Sequence, residues 1–166
     1  ERQPLVEALK SYEERELPGK LKGWLATHKQ EAAAREWLAP ELQSSRSQGG
    51  AIFTPQPDGS LLAGGKNVDN DVFTFVLRTE LRDVRSLRLE ALAHPSLVKG
   101  GPGRADNGNI ALSDLRVTAA PTNAPTQTTP VKLVNARSTF EQPGLPVAAA
   151  VDGNPQSAWS LDPQFG

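Results

Sequence analysis

Hydrophobic positions change their period once along this chain. In residues 1–37, Leu5, Leu9 and Tyr12 recur at helical spacing with Val6 beside them. Leu21, Trp24, Leu25 and His28 form a second stripe of the same kind. Gln3-Pro4 resembles a helix start, because proline suits the first turn. Leu17-Pro18-Gly19 is expected to separate the two helices, since a residue before proline is steered away from helical dihedrals. Acidic and basic residues balance over this stretch, which favours a solvated helix pair laced with salt bridges. Its apolar stripe needs cover from the other helix, the following domain or a domain elsewhere.

Beyond Trp37 the period falls to two and turn residues multiply. "GAIFTPQPDGSLLAGG" (50–65) places two short apolar runs around Pro57-Asp58-Gly59, a hairpin signal. "DVFTFVLRT" (71–79) is apolar on both faces, as a central strand is. "DVRSLRLEALA" (83–93) sets Arg85, Leu87, Leu89 and Ala91 on one face, and a strand is preferred to a helix there because a helix would put Arg88 on the apolar stripe. "GGPGRADNGN" (100–109) reads as a loop with a hairpin-type turn at Asn107-Gly108. "IALSDLRVTA" (110–119) alternates with a phase shift near Ser113-Asp114 that suggests a bulge. The expected class is therefore mainly β: an antiparallel β-sandwich or jelly roll preceded by an N-terminal α-helical pair. The expected segments are a helical lead-in (1–36), a sandwich module (37–120) and a Pro/Thr-rich linker (121–130). Residues 131–166 then either open a second sandwich or supply the remaining strands of the same jelly roll.

Composition narrows the chemistry. The net charge of -1 across 166 residues offers no electrostatic case for nucleic acid. The chain has no cysteine, which removes disulfides, zinc–thiolate sites, iron–sulfur clusters and covalent haem attachment, and no methionine as an axial ligand, so no haem is expected in this segment. No run of apolar residues is long enough to span a membrane, and no signal peptide is visible. The start at Glu1 reads as an internal piece of a longer protein. His28 and His94 lie near no nucleophile motif, and no enzymatic activity is expected. Trp24, Trp37 and Trp159 could stack on sugars, but in a chain only 5% aromatic they are expected in the core.

Three stretches could hold a ligand. In "AAAVDGNPQSAWS" (148–160), Asp152, Asn154 and Ser157 offer the oxygens a calcium ion takes from an irregular loop. The other reading is a turn that delivers Trp159 into a core. In "NVDND", Asn67, Asp69 and Asp71 alternate like the first half of an EF-hand loop, but Val72 stands where that loop needs glycine and Arg78 where it needs glutamate. A solvated loop capping a strand is preferred. The glycine-rich 100–109 loop lacks a phosphate-binding signature, since no Gly-Lys-Ser/Thr follows and Asp106 stands at the third glycine position. Its Arg104, Asp106 and Asn109 could instead line a sugar site.

The motif Ala150-x-Asp152-Gly153…Ser157-x-Trp159 resembles the opening of discoidin-like domains, the coagulation-factor type C, galactose-binding-like group. "GNIALSDLRVTA" (108–119) looks like their closing strand, with Asp114 where glutamate is usual. "LLAGGKNVDNDVFTFVLRTELRDVRSLRLEAL", "GGPGRADNGNIALSDLRV" and "FEQPGLPVAAAVDGNPQSAW" together resemble a module of large planctomycete-type cytochrome c proteins. This resemblance covers about residues 37–166. It implies a β-sandwich, an extracytoplasmic setting and carbohydrate binding, and the discoidin-like motif implies calcium at Asp152, Asn154 and Ser157. The expectation is thus a non-catalytic, carbohydrate-binding module of a larger protein. The alternative is a module that spaces or docks neighbouring domains, some of which could carry haem.

Overall fold

The computed structural model describes the backbone of residues 3–33 and 37–163, and the side chains of 4–26 and 37–163. The chain divides into two compact units, Glu1–Ala39 and Pro40–Gly166.

The first unit holds α1 (Gln3–Arg15) and α2 (Leu17–Ala33). The interruption falls at Glu16, one residue before the expected Leu17-Pro18-Gly19. Helical hydrogen bonding continues across it, from Glu16 N–H to the Tyr12 carbonyl (3.0 Å) and from Lys20 N–H to the Glu16 carbonyl (3.1 Å). Pro18 and Gly19 are accommodated in the first turn of α2, where a missing N–H costs nothing. Lys20 contacts Glu16 (3.3 Å) and sits over the Tyr12 ring, 4.7 Å from its centroid. The apolar stripe is open: Leu5, Leu9, Leu21 and Trp24 are all exposed. The side chain of His28 lies outside the described residues.

The second unit is built of antiparallel strand pairs. In chain order they are β1 (Glu41–Ser47), β2 (Ala51–Pro55), β3 (Leu61–Gly65), β4 (Phe73–Arg78), β5 (Ala111–Leu112), β6 (Val117–Ala119), β7 (Thr129–Val131) and β8 (Trp159–Ser160). They form four two-stranded sheets: β1–β4, β2–β3, β5–β8 and β6–β7. The protein is therefore mainly β with an N-terminal helical pair.

The β2–β3 hairpin forms where the turn signal predicts it, in register from Ala51↔Gly65 to Pro55↔Leu61. Gly59 adopts φ +85°, and Asp58 Oδ1 accepts the Ser60 N–H at 2.9 Å. β1 pairs with β4 around a bulge at Gln43. One carboxylate fastens this corner. Asp71 Oδ2 accepts the Ser47 hydroxyl (2.5 Å), and its Oδ1 accepts the N–H groups of Gly49 and Val72 (both 2.7 Å). The Ser47 oxygen in turn accepts the N–H groups of Gly50 (2.9 Å) and Ala51 (2.8 Å), so the β1–β2 turn is tied to the start of β4.

Several expectations are corrected. The segment expected as a central strand is not one: among the described residues β1 is the only partner of β4, and all six β4 residues are exposed. Residues 83–93 form neither strand nor helix, and Val84, Leu87, Leu89 and Leu92 are exposed. Alternation gave them a strand's pattern, but no neighbouring strand offers a ladder. The phase shift at Ser113-Asp114 is a break between β5 and β6 rather than a bulge, and Leu115 N–H turns to the Ala150 carbonyl (2.7 Å). The tryptophans are not core residues. Trp24 and Trp37 are exposed, and Trp159 is half-buried with its indole N–H donated to the Phe140 carbonyl (3.0 Å).

Residues 121–128 turn between β6 and β7, which pair from Val117↔Val131 to Ala119↔Thr129. β5 and β8 join across this stretch, with Ala111 opposite Ser160 and Leu112 opposite Trp159. The buried hydrophobic residues, Ala149, Ala150 and Leu161, gather at the same end as this pair.

Gly103 is buried there without φ strain; a Cβ on it would run into the Asn109 carbonyl. Gly153 has nothing within 4 Å of its would-be Cβ, but its φ is +75°. Gly103→Ala should therefore cost about 3 kcal/mol through steric overlap, and Gly153→Ala about 1 kcal/mol through its backbone conformation alone. Urea denaturation of both variants checks this order.

Candidate functional site

Asp152 lies just after the short 3-10 turn Val147–Val151 and begins a self-contained loop. Its Oδ1 accepts the Asn154 N–H (2.7 Å) and its Oδ2 accepts the Ser157 hydroxyl (2.7 Å). Asn154 Oδ1 accepts the Gln156 N–H (3.0 Å), and the Ser157 oxygen is also 2.9 Å from the Asn154 carbonyl and 3.4 Å from that of Ala149. The structure thus brings Asp152, Asn154 and Ser157 together. Four oxygens converge: Asp152 Oδ2, the Ser157 hydroxyl and the backbone carbonyls of Asn154 and Ala149. The Asn154 N–H, and after it the Ser157 hydroxyl, hold the Asp152 carboxyl below the ordinary carboxylate value.

The half EF-hand pattern is not assembled. Asn67 donates its amide to the Arg104 carbonyl (2.9 Å), and Asp71 is spent on the β1–β2 corner described above. Its carboxyl is held below the usual range chiefly by the Ser47 hydroxyl, with help from the N–H groups of Gly49 and Val72. Among the described residues, no group of three or more His, Cys, Asp or Glu side chains could hold a metal ion.

The three candidates of the 100–109 loop separate. Arg104 lines a cleft of about 290 Å³ together with Thr54, Leu62, Asn67, Ser96 and Val98. Its Nη1 donates to the carbonyls of Gly64 (2.9 Å) and Lys66 (3.1 Å), which fastens the loop to the end of β3. The rest of the guanidinium fork makes no hydrogen bond among the described residues and is free for an acceptor in the cleft. Asp106 is exposed on the turn and does not line the cleft.

Asn109 does not line it either. Its Nδ2 donates to the Ser160 hydroxyl (2.8 Å) and lies 3.4 Å from Gln142 Oε1. Its Oδ1 accepts the N–H groups of Ile110 (2.8 Å) and Leu161 (3.3 Å). Ser160, only 1% exposed, passes its own proton to the Ile110 carbonyl (2.9 Å). Asn109 therefore uses both ends of its amide to join β5 to β8.

Sequence reading overlooked Ser96, which shares the cleft with Arg104. The Ser96 N–H lies 3.2 Å from His94 Nδ1, and the Ser96 hydroxyl oxygen is 2.7 Å from the same nitrogen. The His94-Pro95-Ser96 spacing was the available signal, since a turn at proline folds the third side chain back on the first.

The fold and these contacts define a mainly antiparallel β protein with a helical lead-in, an oxygen-rich loop at Asp152 and a shallow cleft beside Arg104. No protein-family model matches the chain, and no curated protein or solved structure matches it.

Two outcomes are expected. Asn109→Ala should destabilise the protein by about 2 kcal/mol, because it leaves buried partners unsatisfied; urea unfolding measures this. Asp71 and Asp152 both have depressed values in the folded state. Their contribution is present above the unfolded carboxyl value near 3.9 and is lost as pH falls through the folded one. Melting temperature should fall through the acid range, and the Asp71→Ala/Asp152→Ala double variant should show a flatter acid limb.

Proposed function

We propose that this chain is a non-catalytic interaction module of a larger extracytoplasmic protein, and that its open β surface docks neighbouring domains. One observation carries the reading. β4 exposes Phe73, Phe75, Val76 and Leu77 on its two faces, each between 39% and 51% exposed. A monomeric soluble domain rarely leaves such a patch uncovered, and larger ones mark interaction sites. The Phe53, Phe73 and Phe75 rings pack edge to face with centroids 4.9 to 6.5 Å apart, so the patch is ordered aromatic surface. In this reading the short antiparallel pairs are strands of a sandwich or jelly roll whose face the docked partner completes. The extracytoplasmic setting rests on the resemblance to discoidin-like and planctomycete-type cytochrome modules.

Carbohydrate binding is the second reading, and the cleft beside Arg104 favours it. A guanidinium with unused donors above small and apolar residues can grip a hydroxyl pair. Calcium belongs to this reading as a rigidifying ion at Asp152, Asn154 and Ser157. The oxygens there are of the kind a hard cation takes, although four oxygens with one carboxylate among them fall short of the usual six to eight, so water would complete the shell.

Two measurements separate the readings. The intact chain should bind an apolar-surface dye such as ANS, and Val76→Lys should reduce that binding. A glycan array should be blank. Sugar binding that Arg104→Ala abolishes, with no dye binding, would replace docking by the second reading. If calcium occupies the Asp152 loop, adding it should raise the melting temperature and a chelator should reverse the rise; an unchanged melt leaves the loop a turn held by its own hydrogen bonds.

A further inference from the structure

We propose that the cleft beside Arg104 binds a small aliphatic carboxylate. This goes beyond the docking reading and uses a different surface. Thr54 and Leu62 stand opposite each other in the β2–β3 hairpin, and both line the cleft. Phe53 alternates to the other face, where it meets Phe73 and Phe75.

Neutral groups hold Arg104 in place. Asn67 Nδ2 donates to its backbone carbonyl (2.9 Å), and its Nη1 donates to the carbonyls of Gly64 (2.9 Å) and Lys66 (3.1 Å). These contacts order the side chain without offsetting its charge. Arg104 has no ion pair among the described residues, and among them it is the only charged residue that lines the cleft. Asp106, the one acid of its loop, is exposed on the turn and does not line the cleft. Lys66 and Lys99 follow the lining residues Gly65 and Val98; both are exposed and neither has an ion pair among the described residues. The local charge is therefore positive and uncompensated.

The unused donors suit a carboxylate. With Nη1 occupied, the Nε–H and Nη2–H groups remain, and in a planar guanidinium these run parallel along one edge, matched to the two oxygens of a carboxylate. The Thr54 hydroxyl, which also lacks a hydrogen bond among the described residues, adds a donor. Because the fork is already ordered, little freedom is lost when an anion joins it. Leu62, Leu97 and Val98 supply an apolar wall. A cleft of about 290 Å³ takes a chain of a few carbons rather than an oligosaccharide. A neutral hydroxyl pair would leave the charge unanswered and set polar groups against that wall, whereas a carboxylate on a short alkyl chain matches both.

NMR titration of the 166-residue chain with butyrate tests this. Saturable shifts are expected at the Arg104 Nε–H and the Val98 methyls, and none at the Phe73 and Phe75 amides. Butyramide, which keeps the shape without the charge, and D-galactose should each bind about tenfold more weakly. Val98→Asp, at a position 40% exposed, brings a like charge into the cleft without touching Arg104. It should weaken butyrate binding about tenfold with an unchanged circular dichroism spectrum. Arg104→Gln should abolish binding; because Arg104 also fastens its loop, a thermal melt checks that variant, and Val98→Asp decides if it does not fold. No saturable shift with butyrate, butyramide or galactose binding as tightly as butyrate, or butyrate binding indifferent to Val98→Asp would each overturn the proposal. ANS binding at β4 is independent of all these outcomes, so the docking reading stands or falls separately.

Discussion

The amide of Asn109 is the contact on which the β unit depends. It joins residues 50 or more positions apart in sequence: its Nδ2 reaches Ser160 and its Oδ1 reaches the backbone of Leu161. Ser160 answers by donating to the Ile110 carbonyl. Two-residue strands such as β5 and β8 have too little ladder to hold themselves together. A half-buried, fully partnered amide on a buried hydroxyl supplies the missing fixity, and its loss leaves that hydroxyl without its donor. The closely packed Gly103 and the Leu115–Ala150 hydrogen bond sit around the same junction. This is also where the few buried residues collect.

The opposite tendency rules β4. Here the chain has aromatic and β-branched side chains in quantity and almost nothing to bury them under. Phe53 covers part of one face, and the rest stays open. The contrast between a closed polar junction and an open apolar sheet is the argument for a docking role. In the proposed docking role, polar closure fixes the shape of the unit and the exposed strand supplies the surface that binds. The Asp71 corner connects the two regimes, because it sets where β4 begins and how the β1–β2 turn meets it.

Local features were legible in the sequence and non-local ones were not. The Pro57-Asp58-Gly59 turn specified its hairpin because a turn and its flanking alternation are neighbours in the chain. The grouping of Asp152, Asn154 and Ser157 was legible for the same reason: an aspartate two residues before an N–H and five before a hydroxyl closes on itself. Residues 83–93 misled because alternation states which face is apolar but not whether a partner strand exists. The tryptophans misled because apolar composition predicts burial only where there is enough core to enter. Asn109 read as a sugar ligand for its amide, and its partner Ser160 could not be found without the fold that brings the two together.

Hydrogen–deuterium exchange, followed residue by residue, tests most directly whether the unit is closed at Asn109–Ser160 and open at β4. The outward amides of Phe73–Arg78 should exchange quickly, while those of Ile110 and Leu161 are slow. Fast exchange at Ile110 and Leu161, or outward β4 amides as protected as those two, would contradict the account.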